Sequence, residues 1–124
     1  LRILEDGQIT RLGSSVARSV SVRIICATNR NLSEMINKRL FRADLFYRLD
    51  VLRLEIPPLR DRLEDIPVLA RSVLEKKKKE LSPAAASRLR GYHWPGNVRQ
   101  LFHCLERAAS ESTDRTIYPD HLDF

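Results

Sequence analysis

The fold class is decided by the stretch from Val22 to Arg30, which reads VRIICATNR. Together with the preceding residues it predicts a strand over 20–27, because a nearly continuous apolar run is typical of a strand buried on both faces of a parallel sheet. Asn29 follows where this strand ends. Ligands of open α/β sheets bind beyond the carboxyl ends of strands, so Asn29 is a candidate ligand contact. The alternative is that its amide satisfies the backbone of a turn.

The pattern on either side of this strand favours an α/β layer. Apolar residues at positions 1, 3 and 4, followed by Gly7, predict the last turn of a helix that we expect to begin before the sequence does. Ser33 is the predicted N-cap of a helix over 34–40, and a second helix is predicted over 43–49. Alternating apolar residues predict a strand over 51–56, which Pro57-Pro58 ends. The first predicted domain is therefore residues 1–57.

Residues 58–124 are predicted to form a small unit of three helices. The first helix follows Asp65, the second begins at Ser82-Pro83, and the third begins at Asn97, which has capping-box spacing to Gln100. The segment 75–80 between the first two helices is short. Either the loop is tight, or residues are absent from the sequence at this point.

Composition narrows the class of protein. The 124 residues carry a formal charge of +6, with 43% hydrophobic and 31% charged residues, which is typical of a folded globular protein. No apolar run reaches the roughly 18–20 residues of a membrane span, and no secretory leader is recognisable. The two cysteines, Cys26 and Cys104, have no metal-site or disulfide-framework spacing. We therefore expect a cytoplasmic protein without a metal site in this chain.

Three clusters, taken together and in order, resemble one family over essentially the whole chain. They are VRIICATNR at 22–30, FRADLFYRL at 41–49 followed by PPLRDR at 57–62, and WPGNVRQL at 94–101. This sequence resembles the C-terminal part of the AAA+ module of NtrC-type enhancer-binding proteins, the bacterial activators of sigma-54 RNA polymerase. The resemblance implies the end of a P-loop AAA+ parallel-sheet subdomain followed by a helical lid.

The resemblance also implies roles for four residues. Asn29 matches sensor I, which orients the attacking water and senses the γ-phosphate. Arg42 and Arg48 match the arginine-finger region, with Arg48 ranked first, and Arg99 matches sensor II, which reaches the nucleotide of its own subunit. A guanidinium suits such roles because it is always charged and forks onto phosphate oxygens.

The spacing of the two finger candidates leaves alternatives open. Six residues at about 100° each would place Arg42 and Arg48 roughly 240° apart on one helix, so both could not face one phosphate from it. Either Arg42 precedes the helix, with Asp44 acting as a cap, or only one arginine is the finger. A purely structural alternative is that Asp44 and Arg48 form an i, i+4 ion pair. For Arg99 the alternative to the sensor II role is that its side chain extends into solvent and binds nothing.

The same family implies what the intact protein needs beyond this sequence. The chain contains no GxxxxGK[ST] loop and no strand ending in paired acids, so ATP and Mg²⁺ are expected cofactors of the intact ATPase and not tight ligands of this chain. The expected partners are sigma-54 RNA polymerase holoenzyme and further copies in a ring, with six as the expected number. DNA contact is expected through another domain. The alternative function is a non-catalytic basic module that binds protein or nucleic acid.

Overall fold

The chain divides into two compact units in the computed structural model, which describes residues 2–124 and the side chains from Ile3 onward. The first unit extends up to Glu55, and the second runs from Ile56 to Phe124. This division falls just before Pro57-Pro58. The domain boundary placed after Pro57 stays a prediction. Leu1, assigned to the first helix from the sequence, lies outside the described residues.

The first unit contains short helices and one hairpin. Helix α1 spans Arg2–Glu5, and Gly7 follows in the left-handed conformation that a helix C-cap requires, with φ of +63°. Strand β1 (Gln8–Thr10) then pairs antiparallel with β2 (Ala17–Ser19). Helices α2 and α3 follow; their bounds are Leu32–Asn37 and Ala43–Leu49.

Two predicted strands are absent from this unit. Residues 20–28 and 53–56 have no regular secondary structure, and apart from the half-buried Val20 their apolar side chains are exposed. Ile25 is 84% exposed and Leu54 is 83% exposed. A strand forms only where a neighbour pairs its N–H and C=O groups, and within the described residues no segment pairs with either of these. The prediction of a formed strand was wrong at both places. The apolar side chains of the two segments, Val20 apart, are instead exposed to solvent.

The ends of the two helices correct a second prediction. Asn31, and not Ser33, is the N-cap of α2, because the Asn31 side chain accepts a hydrogen bond from the Glu34 N–H at 3.2 Å. The helix ends at Asn37, before the predicted residue 40. Helix α3 has its predicted bounds, and its N-cap is Arg42, whose backbone is extended. Asp44 therefore does not cap α3.

The second unit holds the core. Helices α4 (Ile66–Leu74), α5 (Pro83–Arg90) and α6 (Asn97–Glu111) begin at or next to their predicted positions. Two 3-10 turns, Leu59–Asp61 and Leu63–Asp65, lead into α4. The fully buried large side chains of the core are Trp94, Leu59, Ile66, Leu89, Leu101, Leu105, Ile117 and Cys104. Helices α4 and α6 supply, at helical spacing, nine of the fifteen buried apolar residues of the described core.

The second unit also contains a pair of two-residue strands that the sequence pattern does not predict. Strand β3 (Glu80–Leu81) pairs parallel with β4 (Thr116–Ile117), which lies beyond α6. The segment before β3 is a tight turn: a 3-10 turn over Glu75–Lys77 is followed by Lys78 at φ of +55°. Lys79 is half-buried and its ammonium group donates to the carbonyls of Ser112 and Asp114. The four lysines at 76–79 therefore do not form one solvated run.

Three aromatic side chains, Tyr92, Trp94 and Phe124, pack against one another in the second unit. Trp94 is fully buried, and its indole N–H donates to the Leu89 carbonyl at 2.8 Å. The ring of Phe124 stacks on Tyr92 with centroids 4.4 Å apart and meets Trp94 edge-on. Arg88 lies over the ring of Phe124, with its Cζ 5.3 Å from the ring centroid. This packing gives Trp94 a structural role in the second unit.

Candidate functional site

Arg42 stands immediately before α3, as the first of the two sequence alternatives requires. Its Nε and Nη2 both donate to the Asp44 carboxylate, at 3.0 Å and 2.5 Å. This two-point contact is the geometry in which arginine binds a carboxylate most specifically. The Arg42 guanidinium holds the pKa of the Asp44 carboxyl below its ordinary value, mainly through this hydrogen bond. The Nε–Nη2 edge of the Arg42 guanidinium is thus occupied by the Asp44 carboxylate.

Arg48 lies in the last turn of α3 and has a different kind of partner. Its Nη2 lies 2.5 Å from Oε1 of Glu5, the last residue of α1. The two side chains are 43% and 33% exposed. The i, i+4 ion pair between Asp44 and Arg48 does not form, since each residue has another partner. Nη2 and Oε1 are the closest atoms of the ion pair with Glu5, and within the described residues no N–H of the Arg48 guanidinium makes a hydrogen bond.

Asn29 lies in an exposed bend of the first unit. Thr28 provides the local turn contact there, because its hydroxyl accepts a hydrogen bond from the Arg30 N–H at 3.1 Å. The Asn29 amide makes no hydrogen bond to any residue that the structure describes. The backbone of this turn is therefore satisfied by Thr28, and the alternative in which the Asn29 amide satisfies it does not hold.

Arg99 lies in the first turn of α6 and is exposed. It forms no ion pair or hydrogen bond within the described part of the chain. Its side chain borders a surface depression of about 370 Å³ between α6 and the C-terminal residues. His103 and Arg107 follow at intervals of four along the same helix face, and Arg107 is paired with Asp123 at 2.8 Å. Arg99 is thus the unpaired cation at the start of a basic stripe.

The first turn of α6 is held by contacts that the capping-box prediction assigned differently. The Asn97 side chain does not cap this helix but accepts a hydrogen bond from the Leu59 N–H at 2.8 Å. The Gln100 side chain accepts instead from the Gly96 N–H, at 3.0 Å. A Cβ at Gly96 would lie 2.8 Å from the Cβ of Gln100, so this close contact requires glycine. Two hydrogen bonds therefore hold the turn before Arg99, one to Leu59 and one between Gly96 and Gln100.

The described residues contain no group of three or more His, Cys, Asp or Glu side chains that could hold a metal ion. None of the described helices has the length and apolar character needed to cross a membrane. Cys26 is exposed and Cys104 is buried; burial raises the pKa of the Cys104 thiol above its ordinary value.

Glu5 is the residue that sequence reasoning missed. It was assigned only to the end of a helix, and no local spacing signal connects it to Arg48, which lies far along the chain. Pairs formed by folding between distant elements leave no periodic pattern in the sequence. The structure places Arg42, Arg48 and Asn29 in the first unit and Arg99 in the second.

Comparison with known proteins agrees with both units. The sigma-54 interaction domain matches residues 1–55, and the AAA+ ATPase lid domain matches residues 60–124. The class is therefore that of AAA+ ATPases with a sigma-54 interaction domain. The chain belongs to the family of NtrC-type sigma-54-dependent transcriptional activators and corresponds to the C-terminal part of their AAA+ module, as the three sequence clusters predict.

Individual relatives give the extent of the similarity. The chain is 45% identical to the Nif-specific regulatory protein of Azorhizobium caulinodans, over 96% of this chain and 20% of that protein. It is 49% identical to the nitric oxide reductase transcription regulator NorR1 of Cupriavidus necator, over 93% of this chain and 24% of that protein. It is 43% identical to the regulatory protein AtoC of Escherichia coli, over 98% of this chain and 28% of that protein.

Solved structures agree with the fold. Crystal structures of NtrX from Brucella abortus in complex with ADP and with ATP match with TM-scores of 0.84 and 0.85 at 35% identity. Each match covers 98% of this chain and 30% of the NtrX chain. The chain thus spans less than a third of each of these relatives. The predicted fold class, the end of an AAA+ parallel-sheet subdomain followed by a lid, is confirmed.

Proposed function

We propose that this chain supplies the arginine finger, sensor I and sensor II to the ATPase of a sigma-54-dependent activator. The intact protein would couple ATP hydrolysis to remodelling of sigma-54 RNA polymerase. The observation that carries the proposal is the state of Arg48: an exposed guanidinium, ion-paired with Glu5 but without a hydrogen bond among the described residues, in the segment that matches the sigma-54 interaction domain. Always-charged arginines with free donors are suited to the phosphates of a nucleotide.

Arg48 is the proposed finger because its donors are more available than those of Arg42. A finger stabilises the charge that develops on the transferred phosphoryl group, and it acts on the nucleotide of a neighbouring subunit when supplied in trans. Arg42 already has its Nε and Nη2 on Asp44, so binding a phosphate through that edge would require exchanging one anion for another. We assign Arg42 to the subunit interface beside the finger.

Arg99 and Asn29 are proposed to act within one subunit. Arg99 is unpaired in the described structure at the start of a fifteen-residue helix, where backbone N–H groups and the helix dipole also favour an anion. It is the proposed sensor II contact to the phosphates. The Asn29 amide, exposed and without a partner, is the proposed sensor I group that orients the attacking water.

Cofactors and partners follow from the same proposal. ATP would bind as its Mg²⁺ complex, as is usual for phosphoryl transfer, with the metal held outside this sequence. The NtrX structures with ADP and ATP support a nucleotide ligand for this type of module. A finger that acts between subunits requires a ring, for which we propose six copies. Contact with the polymerase and with DNA is assigned to other segments, and the activator would work in the cytoplasm.

The test is Arg48→Ala in the full-length protein. Fingers supplied in trans contribute about 10³–10⁵ in rate, so we expect ATP binding to be nearly normal and steady-state hydrolysis to be almost lost. Arg99→Ala is the contrasting variant, because it should weaken nucleotide binding by about 1.5–3 kcal/mol, the contribution of a charge-assisted hydrogen bond. Calorimetric binding and turnover measured on both variants separate the two roles.

Mixed rings provide the control for action between subunits. Combining Arg48→Ala with a variant whose phosphate loop is disabled should restore part of the activity, because some interfaces then pair an intact finger with an intact binding site. Normal hydrolysis by Arg48→Ala together with its loss in Arg42→Ala would reverse the ranking of the two arginines. Normal hydrolysis in both variants would remove the arginine-finger assignment.

A further inference from the structure

We propose that Glu5 is a positioning residue for Arg48, holding the guanidinium through an ion pair that leaves its N–H groups able to bind a second anion. This inference rests on the proposed function, since it takes Arg48 to be the finger. Glu5 would not touch the nucleotide; it would act only through the arginine.

The contact itself is suited to positioning. Arginine presents five N–H donors in a rigid fork, and the closest atoms of the ion pair are Nη2 of Arg48 and Oε1 of Glu5, 2.5 Å apart. None of the five donors makes a hydrogen bond within the described residues. The ion pair restricts where the long side chain points, while the donors can still bind a second anion.

Glu5 is itself well anchored. It ends α1, and the chain turns immediately afterwards at Gly7, whose carbonyl accepts a hydrogen bond from the Val20 N–H at 2.7 Å. A Cβ at Gly7 would lie 3.2 Å from the Val20 carbonyl oxygen, so this turn is closely packed as well as left-handed. The carboxylate therefore starts from a backbone position that is tied to the β1–β2 hairpin, and it links α3 to that part of the unit.

The pair between Arg42 and Asp44 provides the contrast. Asp44 is two residues from Arg42 and fills two of its donors, so it satisfies Arg42 locally and leaves less of the fork for a ligand. Glu5 reaches Arg48 from a different helix, and their ion pair includes no hydrogen bond of the kind that Asp44 accepts from Arg42. Of the two candidate arginines, Arg48 is the one held by a distant element in an orientation that leaves its fork largely free.

The experiment is Glu5→Gln in the full-length protein, a change that keeps the size of the side chain and removes its charge. A displacement of ~1 Å at a reacting centre can cost about 100-fold in rate, so we expect kcat for ATP hydrolysis to fall by about 10-fold or more. The KM for ATP and the thermal midpoint should stay unchanged. Glu5→Asp, which keeps the charge on a shorter side chain, should have an intermediate kcat.

The matched control is Asp50→Asn. Asp50 makes an ion pair with Arg53 in the same unit, with two contacts at 2.8 Å and 2.9 Å, and neither residue belongs to the proposed site. Loss of a surface ion pair as such should leave kcat unchanged in this variant. A merely structural role for Glu5 would lower the thermal midpoint of Glu5→Gln without a specific fall in kcat, and that result would overturn the inference.

A double variant separates this inference from the proposed function. If Glu5 acts through Arg48, then Glu5→Gln has no further effect on turnover in the Arg48→Ala background. Normal turnover of Arg48→Ala alone contradicts the finger assignment and the positioning role together. Loss of turnover in Arg48→Ala with normal turnover in Glu5→Gln contradicts only the positioning role. An additional loss in the double variant would show that Glu5 acts elsewhere and would also overturn it.

Discussion

Asn97 combines two properties that few side chains provide together. Its φ is +52°, a left-handed backbone that asparagine and glycine adopt more readily than other residues. Its side-chain oxygen accepts the hydrogen bond from the N–H of Leu59, a residue that is fully buried. The residue therefore joins the turn before α6 to the 3-10 turn that begins the second unit.

Substitution of Asn97 tests both properties separately. Asn97→Gly keeps the left-handed backbone and removes the hydrogen bond, so we expect a loss of about 1 kcal/mol in the free energy of unfolding. Asn97→Ala also removes the hydrogen bond and leaves at this position a residue that tolerates the left-handed backbone less well than asparagine does, so it should cost about 2 kcal/mol in total. Urea unfolding of the two variants measures the difference. Equal losses would show that the backbone conformation contributes nothing.

The same residue illustrates what sequence can predict at this scale. The positions of Asn97 and Gln100 correctly indicate where α6 begins, because polar residues with acceptor side chains collect at helix starts. Their partners were assigned wrongly, since Asn97 bonds to Leu59, 38 positions away, and Gln100 bonds to Gly96. Partners supplied by folding cannot be derived from local spacing.

Helix α5 depends on its first cap. Ser82 precedes the helix with an extended backbone, is nearly buried, and accepts a hydrogen bond from the Ala85 N–H at 3.2 Å. Its own N–H donates to the Ile117 carbonyl at 2.9 Å, next to the β3–β4 pair. The cap therefore connects the start of α5 to the two short strands.

Removal of the cap should destabilise the second unit measurably. Ser82→Ala leaves the Ala85 N–H without its acceptor and is expected to cost about 1 kcal/mol, whereas Ser82→Gly should cost only a few tenths. Ser110→Ala is the matched control: it removes an exposed hydroxyl inside α6 and should stay within about 0.5 kcal/mol of the parent. Chemical denaturation followed by circular dichroism gives the comparison. A loss in Ser110→Ala as large as that in Ser82→Ala would contradict the role of the cap.

Elements differ in how well the sequence predicts them, for a physical reason. Helix α3 has its predicted bounds because a helix satisfies its backbone within one segment, so local pattern is sufficient. The strands predicted over 20–27 and 51–56 did not form, because a strand depends on a partner that its own pattern cannot supply. The strands β3 and β4 were missed for the converse reason: two residues are too few to show alternation.

The two units of the molecule differ in burial. The buried apolar residues all belong to the second unit, from Leu59 to Leu122, while none of the described residues up to Glu55 is buried. Stability from apolar burial is proportional to the area removed from water, so it is concentrated in the second unit. The site candidates Arg42 and Arg48 lie in the unit that contributes little to it.

Deletion of residues 1–55 tests this distribution. We expect the urea midpoint of the main cooperative transition to stay unchanged in the shortened chain, and slow amide hydrogen exchange in the whole chain to be confined to the second unit. Leu105→Ala, by contrast, should cost about 2–5 kcal/mol in both chains, because it opens a cavity in the core. A large fall in midpoint after the deletion would show that the first unit contributes to the same cooperative core.

The indole of Trp94 has an optical consequence. It is the only tryptophan in the chain, it is sealed from water, and the Tyr92 and Phe124 rings surround it. Excitation at a wavelength that only tryptophan absorbs therefore reports on Trp94 alone, and so on the second unit alone. The natural sequence needs no substitution for this. The emission of Trp94 should be blue-shifted in the folded chain and move to longer wavelength when the second unit unfolds. Trp94 fluorescence does not report on unfolding of the first unit. A dye attached to the exposed Cys26 thiol could report on that unit instead.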